Sequence, residues 1–232
     1  MIQNPVHQQM VLETLCTNLQ DPIPEIRAKA AQALGQLGHS IVIPQLINAL
    51  HDSEPIVRQM SAISLGQLGN DAILPDLINA LQDPIPSVRE SITNALCDIG
   101  SESITPILIT ALQDPAPSVR TRSAQALGHL KRPAAVPALL QRLADPDPIV
   151  RETAAIALGK MPSETVLTPL LETLRQLNPT LRQMSAIALG QLKQESAIPA
   201  LVQLLEDPEI QVRESAIDAL GKMGSTVDQS VA

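Results

Sequence analysis

Arginine and aspartate at a fixed spacing are the first residues in this sequence that could do chemistry. Seven arginines follow one another at intervals of 31 residues, and an aspartate stands six residues before all but one of them. Guanidinium and carboxylate groups in such number could form a charged binding site. The exception is Gln176, in the sixth unit. The members of the series are Asp21, Arg27, Asp52, Arg58, Asp83, Arg89, Asp114, Arg120, Asp145, Arg151, Arg182, Asp207 and Arg213.

The cysteines and histidines show no arrangement typical of catalysis or metal binding. Cys16 stands where other units have isoleucine or valine, which predicts a small core residue, and Cys97 replaces a glycine. A cysteine nucleophile needs an activating base or a positive neighbour, and the sequence assigns neither. Neither His-Glu-x-x-His nor Cys-x-x-Cys spacing occurs. We therefore predict no catalytic residue, no metal and no cofactor.

The composition excludes several classes of function. The 232 residues are 44% hydrophobic, so the chain can bury a core, but they include no Phe, Tyr or Trp. Base-stacking platforms for single-stranded nucleic acid are therefore absent, and the net charge of −8 argues against binding to a phosphate backbone. No apolar stretch is long enough to span a membrane, and no secretory signal is visible. We expect a cytoplasmic protein that binds no nucleic acid and does not insert into membranes.

The 31-residue period predicts a helix pair in every unit. A leucine lies seven residues after each repeat arginine, and a glycine follows it in every unit but the third. Apolar residues at helical spacing indicate two short helices, separated by an Asp-Pro break that no helix interior would accept. Because one pair cannot bury its own apolar faces, neighbouring pairs must stack. We predict one domain over residues 5–224, with repeats at 5–38, 39–69, 70–100, 101–131, 132–162, 163–193 and 194–224, and polar tails at 1–4 and 225–232.

These motifs resemble the HEAT repeat, in the short form found in phycobilisome-lyase-like proteins. The match is carried by Asp-Pro-x-Pro-x-Val-Arg, as at Asp83–Arg89, followed by Ala-x-Ala-Leu-Gly-x-Leu-Gly, and it covers nearly the whole chain. The resemblance implies an all-α fold, an α-solenoid with a right-handed superhelix built from seven helix pairs. It also implies that the arginines and aspartates of the series form a structural ladder between repeats.

The second helices carry the residues that vary most between units. Positions 1, 2, 5 and 9 after the repeat arginine share one helix face, and most units fill them with polar residues. We therefore expect the apolar residues in these positions to be exposed, unless they only cover neighbouring layers. The resemblance places second helices on the concave, partner-binding surface. The candidate binding residues are Gln59, Met60, Ile63, Gln67, Glu90, Asp98, Arg122, His129, Ile156, Lys160, Gln183, Met184, Ile187 and Gln191.

Two functions remain open from the sequence. The first is a non-catalytic scaffold, adaptor or chaperone-like protein, whose partner the resemblance suggests is a phycobiliprotein or a second HEAT-repeat chain. The alternative is a subunit of a phycobilin lyase or isomerase, or a phycobilisome-degradation factor, acting on bilin chromophores. Units two and six also share ten of eleven residues from the arginine onward. That identity fits either a recent duplication or two like binding patches.

Overall fold

A computed structural model describes the backbone of residues 5–227 and side chains up to residue 224. All regular structure in this range is helical, and the fold class is all-α, an α-solenoid of seven helix pairs. The chain forms two compact units, Met1–Ile104 and Thr105–Ala232. The predicted tail at 1–4 lies outside the described residues, as do residues 228–232 of the predicted tail at 225–232. The single domain over residues 5–224 stays a prediction.

The first compact unit contains three helix pairs. Each second helix has 14 residues; the first helix has 14 residues in the first pair and 7 in the other two. The helices are α1 (Pro5–Asn18), α2 (Pro24–Leu37), α3 (Ile43–Ala49), α4 (Pro55–Leu68), α5 (Leu74–Ala80) and α6 (Pro86–Ile99).

The second compact unit contains four pairs built on the same plan. Its last helix continues through Gly224 to Val227, beyond the predicted end of the repeat. The helices are α7 (Thr105–Ala111), α8 (Pro117–Leu130), α9 (Val136–Arg142), α10 (Pro148–Gly159), α11 (Ser163–Thr173), α12 (Pro179–Leu192), α13 (Ile198–Gln203) and α14 (Ile210–Val227).

Proline and left-handed residues define the ends of the second helices. Every second helix from α2 to α12 begins with proline, whose missing N–H costs nothing in the first turn. Gly38, Gly69 and Gly100 take the left-handed conformation just after their helices. Lys131 and Lys193 adopt the same conformation without being glycine. Helix α10 differs, because Pro162 follows closely and the helix ends at Gly159.

The core lies between the first and second helices of each pair. The leucines seven residues after the repeat arginines, such as Leu34, Leu65 and Leu127, are fully buried. Leucines of the first helices, such as Leu46 and Leu139, meet them from the other side and are also fully buried. The thin layers are filled by Leu, Ile, Val and Ala, so each unit's core excludes water without aromatic rings.

Second helices approach one another closely at the repeated glycine. A Cβ atom on Gly66 would lie 2.6 Å from the Cα atom of Ala95, and one on Gly128 would lie 2.8 Å from the Cα atom of Ala157. Real Cβ atoms do not approach backbone so closely, so the glycine sets the helix spacing. The sixth residue after the repeat arginine, alanine or serine, therefore marks the side of a second helix that faces the preceding one.

Candidate protein-binding face

Four repeat arginines bind the aspartate of the next unit, 25 residues further along the chain. We call each of these arginine–aspartate pairs a rung. In a rung the arginine Nε donates to one carboxylate oxygen and Nη2 donates to the other. The Nη2 distances are 2.8 Å for Arg27–Asp52, 3.0 Å for Arg58–Asp83, 2.7 Å for Arg120–Asp145 and 2.8 Å for Arg182–Asp207. The rungs are bidentate, which is the strongest geometry for this pair of groups.

Backbone groups complete every rung. The aspartate oxygen that accepts from Nη2 also accepts from the backbone N–H two residues later, at 2.9 to 3.0 Å. Each arginine also donates through Nη1 to the carbonyl of the residue six positions earlier, as Arg58 does to Asp52 at 2.8 Å. Each arginine thus ties its own inter-helix loop to the loop of the next unit.

The rungs change the acidity of their carboxyl groups. Hydrogen bonds from Arg27 and Arg182 hold the pKa of Asp52 and Asp207 below the usual range. Burial alone would raise the pKa of Asp83 and Asp145, but hydrogen bonds from arginine and backbone outweigh it, so both pKa values are also lowered. All four carboxylates are therefore charged at neutral pH and stabilise the stacked units.

Other members of the series contact backbone groups of their own inter-helix loops. Arg89 donates to the carbonyl of Asp83 at 2.7 Å, and Asp114 accepts from the N–H of Ala116 at 2.8 Å. Asp21 accepts from Ile23 at 2.8 Å. Arg151 and Arg213 bind only backbone carbonyls within the described residues.

Fewer positions of the second helices are exposed than the sequence predicts. Position 9 is exposed in every unit, as at Gln67, Asp98, His129, Lys160 and Gln191. Position 5 is half-buried in the five inner units, including Ile63, Ile156 and Ile187. Position 1 is half-buried at Gln59, Glu90 and Gln183.

The expectation that Met184 is exposed is wrong. Met184 is only 7% exposed, whereas Met60 in the matching unit is half-buried. Position 2 lies four residues before position 6, so the two share one side of the helix. Position 6 of α12 is Ala188, whose carbonyl would contact a Cβ atom on Gly159 of α10. Met184 therefore points toward the preceding helix, and its flexible side chain fits the gap there.

Sequence reasoning missed two exposed isoleucines on the open face. Ile56 in α4 and Ile149 in α10 are 44% and 63% exposed. Each lies two residues before its repeat arginine and seven residues before a position-5 isoleucine, which is two helical turns. Extending the predicted face by two turns would have found them. We call positions −2, 5 and 9 the open face from here on.

Two polar contacts order side chains on the second helices. Gln59 donates to Ser87 at 2.6 Å, from α4 to α6. Arg122 donates to Gln125 at 2.9 Å within α8.

The cysteines and histidines offer no assembled reactive centre in the part of the chain that the structure describes. Cys16 and Cys97 are half-buried and form no disulfide, and burial raises the pKa of the Cys16 thiol. A raised pKa disfavours the thiolate that a nucleophile or metal ligand needs. No group of three or more His, Cys, Asp or Glu residues that could hold a metal occurs within residues 5–227. No helix in that range combines the length and the apolar character needed to cross a membrane.

Comparison with protein families gives the same repeat assignment. A model described as HEAT repeats matches residues 43–109, 104–177 and 167–232. A second model, HEAT repeat, matches residues 11–41. No curated protein matches the chain in sequence.

Three solved structures illustrate the likeness. The complex of CpcE and CpcF of phycocyanin lyase from Nostoc sp. shares 26% identity and has a TM-score of 0.58, over 92% of this chain and 94% of that chain. YibA of E. coli shares 24% identity with a TM-score of 0.63, over 93% and 82%. Importin beta shares 14% identity with a TM-score of 0.74, over 97% of this chain and 37% of that chain. The last two show the fold alone.

Proposed function

This chain belongs to the HEAT-repeat family, and we propose that it is a non-catalytic scaffold that holds a protein partner on the open face of its second helices. One observation carries the proposal: position 9 is exposed in all seven second helices and position −2 in six of them, while the leucines at position 7 face the core. Within each compact unit, repetition of these exposed positions on neighbouring helices gives a surface that suits a protein partner better than a small molecule.

Pairs of isoleucines, one exposed and one half-buried, supply the apolar contacts of this surface. Ile56 and Ile63 lie two turns apart on α4, and Ile149 and Ile156 lie two turns apart on α10. Their neighbours at position 9, Gln67 and Lys160, are exposed and polar. An apolar centre with a polar rim is the usual composition of a protein interface.

The test is affinity capture of partners from native lysate with the full chain as bait. We expect the double variant Ile56→Ser/Ile63→Ser to lose a partner that the wild type retains, with affinity at least about tenfold weaker. The matched control is Ile41→Ser, because Ile41 is 68% exposed but lies in the connection after α2. A partner that tolerates the double variant as well as it tolerates the control would disprove the assignment of the face.

A second candidate function is a lyase subunit acting on a phycobiliprotein. It is favoured by the 26% identity to the CpcE and CpcF complex of phycocyanin lyase over almost the full length of both chains. Under this proposal the partner on the open face is a phycobiliprotein or a second HEAT-repeat chain. It predicts a covalent bilin adduct on apo-phycocyanin when the chain is supplied with a free bilin and that second chain.

The two candidates are separated by a visible spectrum after denaturing electrophoresis. A polypeptide does not absorb visible light, so visible absorbance in the purified protein would come from a bound pigment. Colour that stays with the phycocyanin band would favour the lyase function. A colourless complex whose formation depends on Ile56 and Ile63 would favour the scaffold.

A further inference from the structure

At one internal place in the arginine–aspartate ladder the arginine is present but the aspartate of the next unit is not. Arg151 in α10 occupies the same place as the other repeat arginines, and its Nη1 donates to the carbonyls of Asp145 and Pro146 at 2.8 and 3.0 Å. The residue 25 positions later is Gln176, and its side chain makes no hydrogen bond to Arg151. Within the described residues the Nε and Nη2 groups of Arg151 have no partner, and both reach solvent.

The loop that would supply the missing carboxylate nevertheless keeps the backbone contacts to its own arginine. Arg182 donates to the carbonyls of Gln176 and Leu177, both at 2.9 Å, as the other repeat arginines do to their own loops. Asn178 caps α12 by accepting from the N–H of Thr180 at 2.9 Å. The backbone of this loop is therefore held in place although the Asp-Pro sequence has been lost.

Three hydrogen-bond donors that share one carboxylate in a complete rung consequently lack an acceptor here, in the part of the chain that the structure describes. In four complete rungs one carboxylate accepts from Nε, from Nη2 and from the backbone N–H two residues after the aspartate. In the fifth unit the corresponding donors are Nε and Nη2 of Arg151 and the backbone N–H of Asn178. The Asn178 N–H makes no hydrogen bond within the described residues.

An apolar side chain stands beside these donors. Leu177 replaces the proline found in most other units at this position, and it is 97% exposed. A leucine so fully in water gains by contact with an apolar group of a partner. Gln176 and Asn178 on either side of it are also exposed, so a second chain can approach.

We propose that Arg151, the Asn178 backbone and Leu177 form a docking site for an aspartate-containing turn of a partner protein. The partner's carboxylate takes the place of the missing aspartate, so the rung is completed between two molecules. An apolar residue next to that aspartate packs on Leu177. The donors are already positioned by Asp145, Pro146 and Arg182, so binding requires little rearrangement. The site lies at an inter-helix loop and includes no residue of the open face, so its test is independent of that face.

The test uses NMR of the full chain with a blocked peptide as probe. The peptide Leu-Gln-Asp-Pro-Ile-Pro-Ser-Val copies residues 81–88 of this chain, which contain a rung aspartate with flanking apolar residues. We expect saturable shifts of the Arg151 Nε–H and Asn178 N–H resonances, with a Kd in the millimolar range, roughly that of a single docked turn. The same peptide with asparagine for aspartate should bind at least about tenfold more weakly.

Two variants and two controls make the result decisive. Gln176→Asp fills the site from within the chain, so it should raise the melting temperature and abolish the peptide response. Arg151→Lys removes the two-pronged geometry and should weaken binding at least about fivefold. Gln20→Asp adds the same charge at an exposed position after α1, outside the open face, and should change neither property. Ile56→Ser/Ile63→Ser should leave the response intact, which separates this site from the open face.

Four results would overturn the proposal. The first is an equal response to the aspartate and asparagine peptides. The second is a peptide response that survives Gln176→Asp. The third is the absence of any response at about 10 mM peptide, well above the expected Kd. The fourth is an equal response to acetate at the same concentration, which would show a general carboxylate site without selectivity for a protein turn.

Discussion

Individual residues divide into those that hold the repeats together and those left free for contact. The arginine and aspartate series could be read from spacing alone, and its pairing over 25 residues follows once neighbouring loops are stacked. The burial of Met184 could not be read in this way, because the sequences around Met60 and Met184 are nearly identical. What differs is the preceding helix, α10, which ends early, at Gly159. Gly159 faces Gln191 and Ala188 of α12, whereas Gly66 and Gly128 each face one alanine of the next second helix.

Acid should destabilise the fold through the four complete rungs. The pKa values of Asp52, Asp83, Asp145 and Asp207 are lowered in the folded state, so the unfolded chain binds protons more readily. The stability they contribute is therefore fully present above the unfolded pKa of about 3.9 and is lost as the pH falls through the folded values. Urea unfolding between about pH 7 and pH 2 should show this loss in the acid range.

The matched variant for this prediction is Asp52→Asn. It removes one titrating rung, so the protein should be less stable at neutral pH and lose less stability on acidification. An acid dependence identical to that of the wild type would show that the Asp52 rung does not contribute. A free energy of unfolding independent of pH below 4 in the wild type would contradict the prediction for all four rungs.

The second helices derive their spacing from glycine rather than from large core residues. The repeated glycine could be predicted as a packing position, since it costs stability in a helix interior and needs a compensating reason. The helix ends at Lys131 and Lys193 could not be predicted, because they take the left-handed conformation without glycine. There the following 3₁₀ turn and the buried start of the next helix fix the chain direction despite the local preference.

Replacing glycine by alanine should have opposite effects on the free energy of unfolding at Gly128 and Gly221, which occupy the same repeat position. Gly128→Ala should destabilise the protein by about 1–3 kcal/mol, because its Cβ would overlap the backbone of Ala157. Gly221→Ala should stabilise it by about 1 kcal/mol, since a Cβ there meets nothing within 4 Å and alanine favours the helix. Chemical unfolding of both variants measures the difference. Equal effects in the same direction would show that helix propensity, not the close approach, determines the outcome.

Across the whole molecule the charge is unevenly distributed along the chain. Residues 1–116 hold 4 basic and 12 acidic side chains, whereas residues 117–232 hold 12 of each. A partner with a basic surface should therefore be attracted to the first part of the chain. This asymmetry was evident from the sequence, but which charges are used by ladder rungs became clear only from the structure.

A short oligolysine peptide provides a direct measurement of this preference. At about 20 mM salt we expect its NMR shifts to fall mainly within residues 1–116, and at about 300 mM salt we expect them to disappear through screening. The neutral second part of the chain serves as the internal control. Shifts spread evenly over both parts would contradict the predicted attraction.

The reach of a rung also has a consequence for synthesis on the ribosome. Each complete rung joins residues only 25 apart, and each glycine contact joins neighbouring second helices. During synthesis, a completed helix pair therefore needs only the next repeat to reach its native contacts. It does not have to wait for the distant end of the chain. Folding can thus proceed in step with translation, each emerging repeat covering the apolar side of the one before it.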